Sequence, residues 1–242
     1  MVYSEFRKET IVIIPARNEA GTVGGIVKQI LGLGLGLDTL VVDDTSTDET
    51  AWLAERAGAR VLRLALPLGA WGAMQTGLRY ALRAGYRWAI TLDADGQHDP
   101  AAIPRLMSGL KADAVSGSKP CNVVVGACTR RGSLARQMAW WVLRRLGGFD
   151  IQDLTSGYRV YDRRAMRVVA SPEATLLEYQ DVGVLLLLTG KNCCIREVEV
   201  TMVPRQIGHS RVFSSWVKVL YYLSYSAILC LSRRPVGQRR IT

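Results

Sequence analysis

Two aspartates one residue apart, Asp93 and Asp95, close an apolar run and are followed by Gly96 and Gln97. Carboxylates so spaced in a turn can reach one hard cation, and Mg²⁺ or Mn²⁺ prefers oxygen ligands completed by substrate phosphates. Gln97 offers a third oxygen. A D-x-D taken alone is equally a solvated turn whose aspartates cap a helix before Pro100. Glu19 and the Asp43-Asp44 pair also follow apolar runs. Three acidic clusters brought together would repel one another without a cation or a positive ligand. Asp44 can accept hydrogen bonds from a base or ribose, or serve as a simple helix cap. His98 reads either as a ligand of cation or phosphate, or as a hydrogen-bonded turn residue. Asp181, in EYQDV, is a candidate base that either takes a proton from an acceptor or pairs with a buried arginine. Asp153 reads as a turn residue or as an organiser of the acceptor site.

The elements around these residues alternate. Short β-branched or apolar runs at 10–15, 39–42, 60–64 and 88–92 predict buried strands, and helical spacing at 22–31 and 70–84 predicts helices between them. Ser46 or Thr47 is placed to cap a further helix. A late strand is expected over 197–203. Such alternation implies right-handed βαβ units and a mainly parallel, Rossmann-like α/β sheet. Ligands of such sheets sit beyond the carboxyl ends of the strands, where Pro15 to Glu19, Asp43-Asp44 and Asp93 to Asp95 all fall. No G-x-G-x-x-G opens a helix, so a dinucleotide is not expected.

Composition narrows the classes. The 242 residues suit one domain, or one domain with an appendage, and charged residues at 21% with 49% hydrophobic residues argue against disorder. Thirty-one Lys and Arg against 21 Asp and Glu leave +10, an excess that attracts polyanions. The basic residues crowd into 130–145, 163–167 and 233–240 without a recognisable nucleic-acid module, so nucleic acid is not an expected partner. Cys121, Cys128, Cys193, Cys194 and Cys230 lack a C-x-x-C spacing and read as reduced packing thiols. The N-terminus has no apolar signal-peptide core, and a cytoplasmic location is expected.

In order, the chain carries VIIPARNEAGTV (12–23), VVDDTSTDET (41–50), GAWGAMQTGL (69–78), TLDADGQHDP (91–100), VSGSK (115–119) and DLTSGYRVY (153–161). This series resembles the inverting family 2 glycosyltransferases of the GT-A fold, and within them the dolichol-phosphate mannose synthases and bacterial polyprenyl-phosphate glycosyltransferases. The resemblance runs from about Thr10 to about Arg211 and implies a catalytic domain over 1–211, with acceptor or interfacial helices near 120–148; the residues that follow, 212–242, read as an amphipathic helix and a basic tail. It implies that Pro15, Arg17, Glu19, Val42 and Asp44 line a nucleotide pocket. Asp93, Ala94 and Asp95 would meet ribose and diphosphate, with Asp93, Asp95 and Gln97 on Mg²⁺ or Mn²⁺. Arg17 stands where an aromatic residue is common in the family. Lys119 stands where Arg is usual, keeping the charge but losing the bidentate fork. Arg205 and Arg211, in a loop similar to the family's R-x-x-G-x-S-K, would fold over the donor diphosphate.

Segment 130–146, plotted at 100° per residue, gathers Ser133, Arg136, Gln137, Trp140 and Arg144 on one side and Leu134, Met138, Trp141, Val142, Leu143 and Leu146 on the other. It suits a membrane interface or a surface helix packed on the core. The resemblance makes it an interfacial helix, with Lys119, Arg130, Arg131 and Arg136 on the acceptor phosphate. Residues 212–231 place Ser214, Ser215, Lys218, Tyr221, Tyr222, Tyr225 and Ser226 opposite Trp216, Val219, Leu220, Leu223, Ala227, Cys230 and Leu231. That segregation fits a helix lying on a surface better than one crossing a bilayer. The basic residues after it suit anionic headgroups. Peripheral attachment to the cytoplasmic membrane face is expected, with room for a separate anchoring subunit.

The expected reaction is metal-dependent, inverting transfer of a sugar from a UDP- or GDP-linked donor to a polyprenyl phosphate of dolichyl or undecaprenyl type. Asp95, Asp181 and Arg205 are the expected catalytic residues. A soluble family 2 enzyme acting on a hydroxyl acceptor shares every donor motif. A sugar-nucleotide pyrophosphorylase would need a Gly-rich loop where Pro15 to Glu19 stand. A non-catalytic module binding anionic membranes explains the arginines but leaves the acidic clusters unexplained.

Overall fold

The computed structural model describes residues 8–111, 120–128, 134–203 and 216–232. Seven strands form one sheet: β1 (Thr10–Ala16), β2 (Asp38–Asp43), β3 (Arg60–Arg63), β4 (Trp88–Thr91), β5 (Val123–Ala127), β6 (Arg159–Asp162) and β7 (Ile195–Glu199). Their order is β3-β2-β1-β4-β6-β5-β7, with β6 antiparallel to its neighbours and the other pairings parallel. β1 and β2 are almost wholly buried because helices cover both faces, which is why they read as continuous apolar runs. α1 (Val23–Gly32) and α4 (Ile103–Ser108) pack on one face. α3 (Gly69–Arg83), α6 (Arg163–Val169) and α8 (Val182–Gly190) pack on the other. α2 (Thr50–Arg56) lies beside α1, and α7 (Pro172–Thr175) is a single turn.

Register brings the carboxyl ends together. Pro15 pairs with Val42 and Ala16 with Asp43, while Ile13 pairs with Thr91 on the other side. The residues that follow β1, β2 and β4 therefore emerge side by side. The antiparallel β6 starts where β4 ends, so Gly157 and Tyr158 enter the same edge.

Four expectations change. The late strand runs from Ile195 to Glu199 rather than over 197–203, and Met202 instead forms an isolated antiparallel bridge with His98. Ser46 and Thr47 do not cap a helix: α2 starts at Thr50, and both residues bond Asn18 across the cleft. Cys121 and Cys194, expected as separate thiols, form a disulfide that ties the starts of β5 and β7, with their Cα atoms 4.9 Å apart.

The fourth change concerns the two amphipathic helices, α5 (Leu134–Gly147) and α9 (Trp216–Ser232), which pack against each other and against α8. Trp140 and Leu143 of α5 face inward, whereas Met138, Trp141 and Val142 face out, Met138 being 70% exposed. On α9, Tyr222, Ser226 and Cys230 recur every four residues and are buried, while Leu220 and Ile228 are 68% and 65% exposed. The buried side of each helix thus straddles the two halves of its wheel: Trp140 with Leu143 on α5, and Tyr222 and Ser226 with Cys230 on α9, while Leu223, Ala227 and Leu229 also pack on the body. The inward side is already filled by a third apolar cluster of Leu143, Phe149, Leu154, Leu185 and Cys230. No described helix is long and apolar enough to cross a membrane.

Candidate active site

The loops after β1 and β2 are laced together. Asn18 donates its N–H to Ser46 Oγ at 2.9 Å and accepts the Thr47 N–H on its side-chain oxygen at 2.8 Å. Glu19 N–H reaches Thr50 Oγ1 at 2.8 Å. Asn18 and Thr45 both have positive φ, 55° and 60°. Asn tolerates that region, but a β-branched residue there is strained, as happens where the surroundings over-determine a functional loop.

Asp44 is buried, and its carboxylate accepts the Leu68 and Gly69 N–H groups at 2.6 and 3.0 Å. It caps the start of α3 from the end of β2, with the Arg17 guanidinium 4.0 Å away. Asp44 therefore fixes one wall of the cleft, and Arg17, half exposed, stands at its mouth. Pro15 is buried within β1 and beside Val42. The Val42 side chain is fully buried against α3, in the core cluster on that face of the sheet.

The Asp93-Ala94-Asp95 turn is held from three sides. Thr22 Oγ1 donates to the Ala94 carbonyl at 2.5 Å. The Asp93 N–H donates to His98 Nδ1 at 3.1 Å, which leaves the ring proton on Nε2 for a neutral imidazole. Asp95 Oδ1 accepts the Gln97 N–H at 3.0 Å, a tight turn that needs Gly96 at φ 76°. His98 is 2% exposed and lies 5.0 Å from the Tyr158 ring. Asp93 faces Gly157: a Cβ there would lie 3.0 Å from Asp93 Oδ2 and 2.7 Å from Gln180 Nε2. Gly157 thus lets the Asp93 carboxylate and the Gln180 amide approach one point.

Deeper in, Arg159 is fully buried and spends its guanidinium on the carbonyls of Ser156, Gln180 and Leu154, at 2.8, 2.9 and 3.3 Å. Its charge acts on Asp181. Burial pushes the Asp181 carboxyl up to about 6, and the Asp93 and Asp153 charges act in the same sense, while Arg159 and a 2.9 Å hydrogen bond from Tyr222 oppose them. Asp153 is fully buried and accepts the Thr155 and Cys128 N–H groups. It is the turn residue that ties the DLTSG loop to the end of β5.

Of the expected residues, Arg17, Glu19, Asp44, Asp93, Ala94, Asp95, Gln97 and Asp181 meet at this edge. Lys119, Arg130, Arg131, Arg205 and Arg211 lie outside the described residues. Arg136 falls on α5, its side chain outside them. Sequence reading did not single out Gln180 or Tyr222. The signal for Tyr222 was available: hydroxyl groups at 222, 225 and 226 repeat at helical spacing in an otherwise apolar segment.

Comparison with known proteins gives a consistent result. Residues 11–173 match the family described as Glycosyl transferase family 2. The undecaprenyl-phosphate mannosyltransferase of Micrococcus luteus is 31% identical over 84% of this chain and 86% of its own length. The polyprenol monophosphomannose synthase of Mycolicibacterium smegmatis is 27% identical over 87% of this chain and 83% of its own. Among solved structures, glucosyl-3-phosphoglycerate synthase of Mycobacterium tuberculosis, in complex with Mn²⁺, uridine diphosphate and glucosyl-3-phosphoglycerate, superposes with a TM-score of 0.67 at 20% identity, covering 98% of this chain and 84% of that one. The last likeness bears on fold alone, the expected GT-A arrangement.

Proposed function

The chain belongs to glycosyl transferase family 2, and from that premise we propose that it transfers a sugar from a nucleoside-diphosphate donor to a polyprenyl phosphate, with inversion and with Mg²⁺ or Mn²⁺. One observation carries the choice of acceptor. The edge that holds the Asp93 turn and Asp181 is bordered by α9, which with α5 turns Leu220, Ile228, Met138 and Trp141 outward. Apolar side chains beside an acid-lined cleft suit an acceptor with a phosphate head and a hydrocarbon tail. The names of the two bacterial relatives support the same acceptor class.

Asp93, Asp95 and Gln97 would hold the cation. Among the described residues no group of three or more His, Cys, Asp or Glu side chains forms a metal cage. The oxygen donors of this turn fit a hard cation that takes one or two carboxylates and completes its shell with substrate phosphates. Bound there, the ion would neutralise charge on the departing diphosphate. Arg17 and Glu19 would flank the nucleotide, Asp44 and Ala94 would shape its pocket, and Arg205 and Arg211 would close over the diphosphate. Lys119, Arg130, Arg131 and Arg136 would orient the acceptor phosphate.

A phosphomonoester has its second pKa near about 6, so the acceptor is mostly dianionic at neutral pH and needs orientation more than a base. Asp181, with its carboxyl near the same value, is suited to take the remaining proton. The hydroxyl-acceptor reading is favoured by the same partly buried Asp181, which would then be indispensable. Attachment to an anionic membrane on its cytoplasmic face, with or without an anchoring subunit, follows from the lipid acceptor and the +10 charge.

The test is transfer from radiolabelled UDP- and GDP-sugars, mannose and glucose among them, to a short polyprenyl phosphate with Mn²⁺ or Mg²⁺. An organic-extractable product that Asp95→Asn abolishes is expected. Under this reading Asp181→Asn lowers transfer by no more than about 10²-fold, the lower end of a general base's contribution. Complete loss in Asp181→Asn, with donor turnover in place of lipid product, would move the assignment to a hydroxyl acceptor.

A further inference from the structure

Asp181 occupies the N-cap of α8, where an aspartate ordinarily accepts an N–H of the first turn. Here its side chain makes no capping bond. The carboxylate turns away from its own helix, at the cost of the stabilisation a cap supplies, and accepts a hydrogen bond from a residue 41 positions later: the Tyr222 hydroxyl, at 2.9 Å. Tyr222 lies in the middle of α9 and is 2% exposed. A phenol kept out of water needs a partner for its O–H, and this one finds the only kind that gains most from it, a charged acceptor.

The contact is part of a wider grip. Tyr221 donates to Glu178 Oε2 at 2.8 Å, and the Tyr225 hydroxyl accepts the Glu178 N–H at 3.1 Å. The Tyr179 ring meets Tyr222 and Tyr225 edge-on, with centroids 5.2 and 5.9 Å apart. The short segment from Glu178 to Asp181, which also carries Gln180 to its place against Gly157 and Asp93, is thus gripped by α9 on one side and by Arg159 of β6, through the Gln180 carbonyl, on the other. Arg159 faces Asp181 from β6, but its three hydrogen bonds go to carbonyls, so it supplies a field and not an orientation. Asp93 and Asp153 are the other charges that act on Asp181, and both repel its anion.

We propose that Tyr222 is a positioning residue of the transfer site: its hydroxyl orients the Asp181 carboxylate toward the acceptor, which makes α9 part of the reaction apparatus as well as a border of the cleft. The inference rests on the glycosyltransferase reading above. It gives the C-terminal helix a role that its outward apolar side chains do not require. It also gives a reason for a buried hydroxyl at 222, among the Leu223, Ala227 and Leu229 side chains that α9 packs on the core.

The experiment is Tyr222→Phe in the full chain, with steady-state transfer measured against donor and acceptor from pH 5 to 8 and thermal unfolding measured alongside. Loss of the hydroxyl lowers kcat at least about threefold near neutral pH, leaves the donor KM within about twofold, and moves the acidic limb of the profile to higher pH, because a hydrogen bond to the carboxylate favours its charged form. Tyr221→Phe, which removes a hydroxyl bound to Glu178 and not to Asp181, leaves that limb where it is. An unmoved limb and wild-type kcat in Tyr222→Phe overturn the proposal. So does an equal displacement in both variants, which would mark a structural grip alone. Should Tyr222→Phe fold poorly, the same removal in an Asp181→Asn background decides: a positioning role predicts no further loss of kcat per folded enzyme, and a further loss of threefold or more overturns it. Absence of sugar transfer by the wild-type chain from every donor would instead sink the underlying reading.

Discussion

Gly157 stands so close to Asp93 that a methyl group in its place would lie 3.0 and 3.2 Å from the two carboxylate oxygens. The glycine comes from the loop before β6 and the aspartate from the turn after β4, two segments joined through the antiparallel pairing of those strands. The gap between them is therefore set by the sheet and not by either loop alone.

Gly157→Ala should act on the proposed cation site before it acts on the fold. The added methyl also meets Gln180 Nε2 at 2.7 Å, and the side-chain ends can yield where backbone cannot. The expected result is a fall in transfer of about 10²-fold, as small displacements of a reacting constellation produce. Unfolding should change by no more than about 1–3 kcal/mol, the cost of overpacking one methyl. Mn²⁺-dependent donor binding, followed by calorimetry, checks it: unchanged affinity for metal and donor would place Asp93 outside the cation site.

Asp181 should trade stability for activity in a pH-dependent way. Its carboxyl is raised from 3.8 to about 6 in the folded protein, so the folded state holds this proton more tightly than the unfolded one. The stabilisation from that proton is fully present below about pH 4 and is lost as pH rises through about 6. Asp181→Asn should therefore unfold later than wild type at pH 7–8, by a margin on the order of 2 kcal/mol. The two should coincide near pH 4. Thermal unfolding across that range is the measurement, and a stabilisation independent of pH would show that the charge is not the cause.

The outward side chains of α5 and α9 should govern attachment to lipid and little else. Replacing Leu220, Ile228 and Met138 together by glutamate removes exposed apolar area and adds negative charge without touching the buried faces. Unfolding should move within about 0.5 kcal/mol per site, as for exposed positions in general. Co-sedimentation with anionic phosphatidylglycerol vesicles should fall at least about tenfold, since each substitution forfeits apolar burial and adds repulsion. Wild-type sedimentation by the triple variant would direct attention to the basic segments instead.

The alternation of strands and helices, the polar clusters at strand ends and the D-x-D turn were all legible in the residues, because each depends on local spacing. A run such as TIVIIPA is apolar on both faces, which only a strand covered from two sides requires, and β1 is that strand. The turn that presents Asp95 needs a glycine one residue on, and Gly96 is there. What spacing could not reveal is the rotation of an amphipathic helix about its own axis. The wheel of α9 sets Tyr222 and Ser226 opposite Leu223, Ala227 and Cys230, yet the side that meets the protein straddles the two halves. Here the protein offers Asp181 and an apolar cluster, so Tyr222 and Cys230 turn inward while Leu220, Tyr221 and Ile228 turn out. The same limit applies to Val42 and Asp44. Both stand at or beyond the end of β2, and only the packing of α3 decides that the valine sinks into the core while both carboxylate oxygens of the aspartate cap the helix. Local sequence determines which groups are present at an edge and the period at which they recur. Contacts between segments distant in the chain decide which of them face the cleft, because burial and hydrogen bonding are settled only when the partner surface is in place.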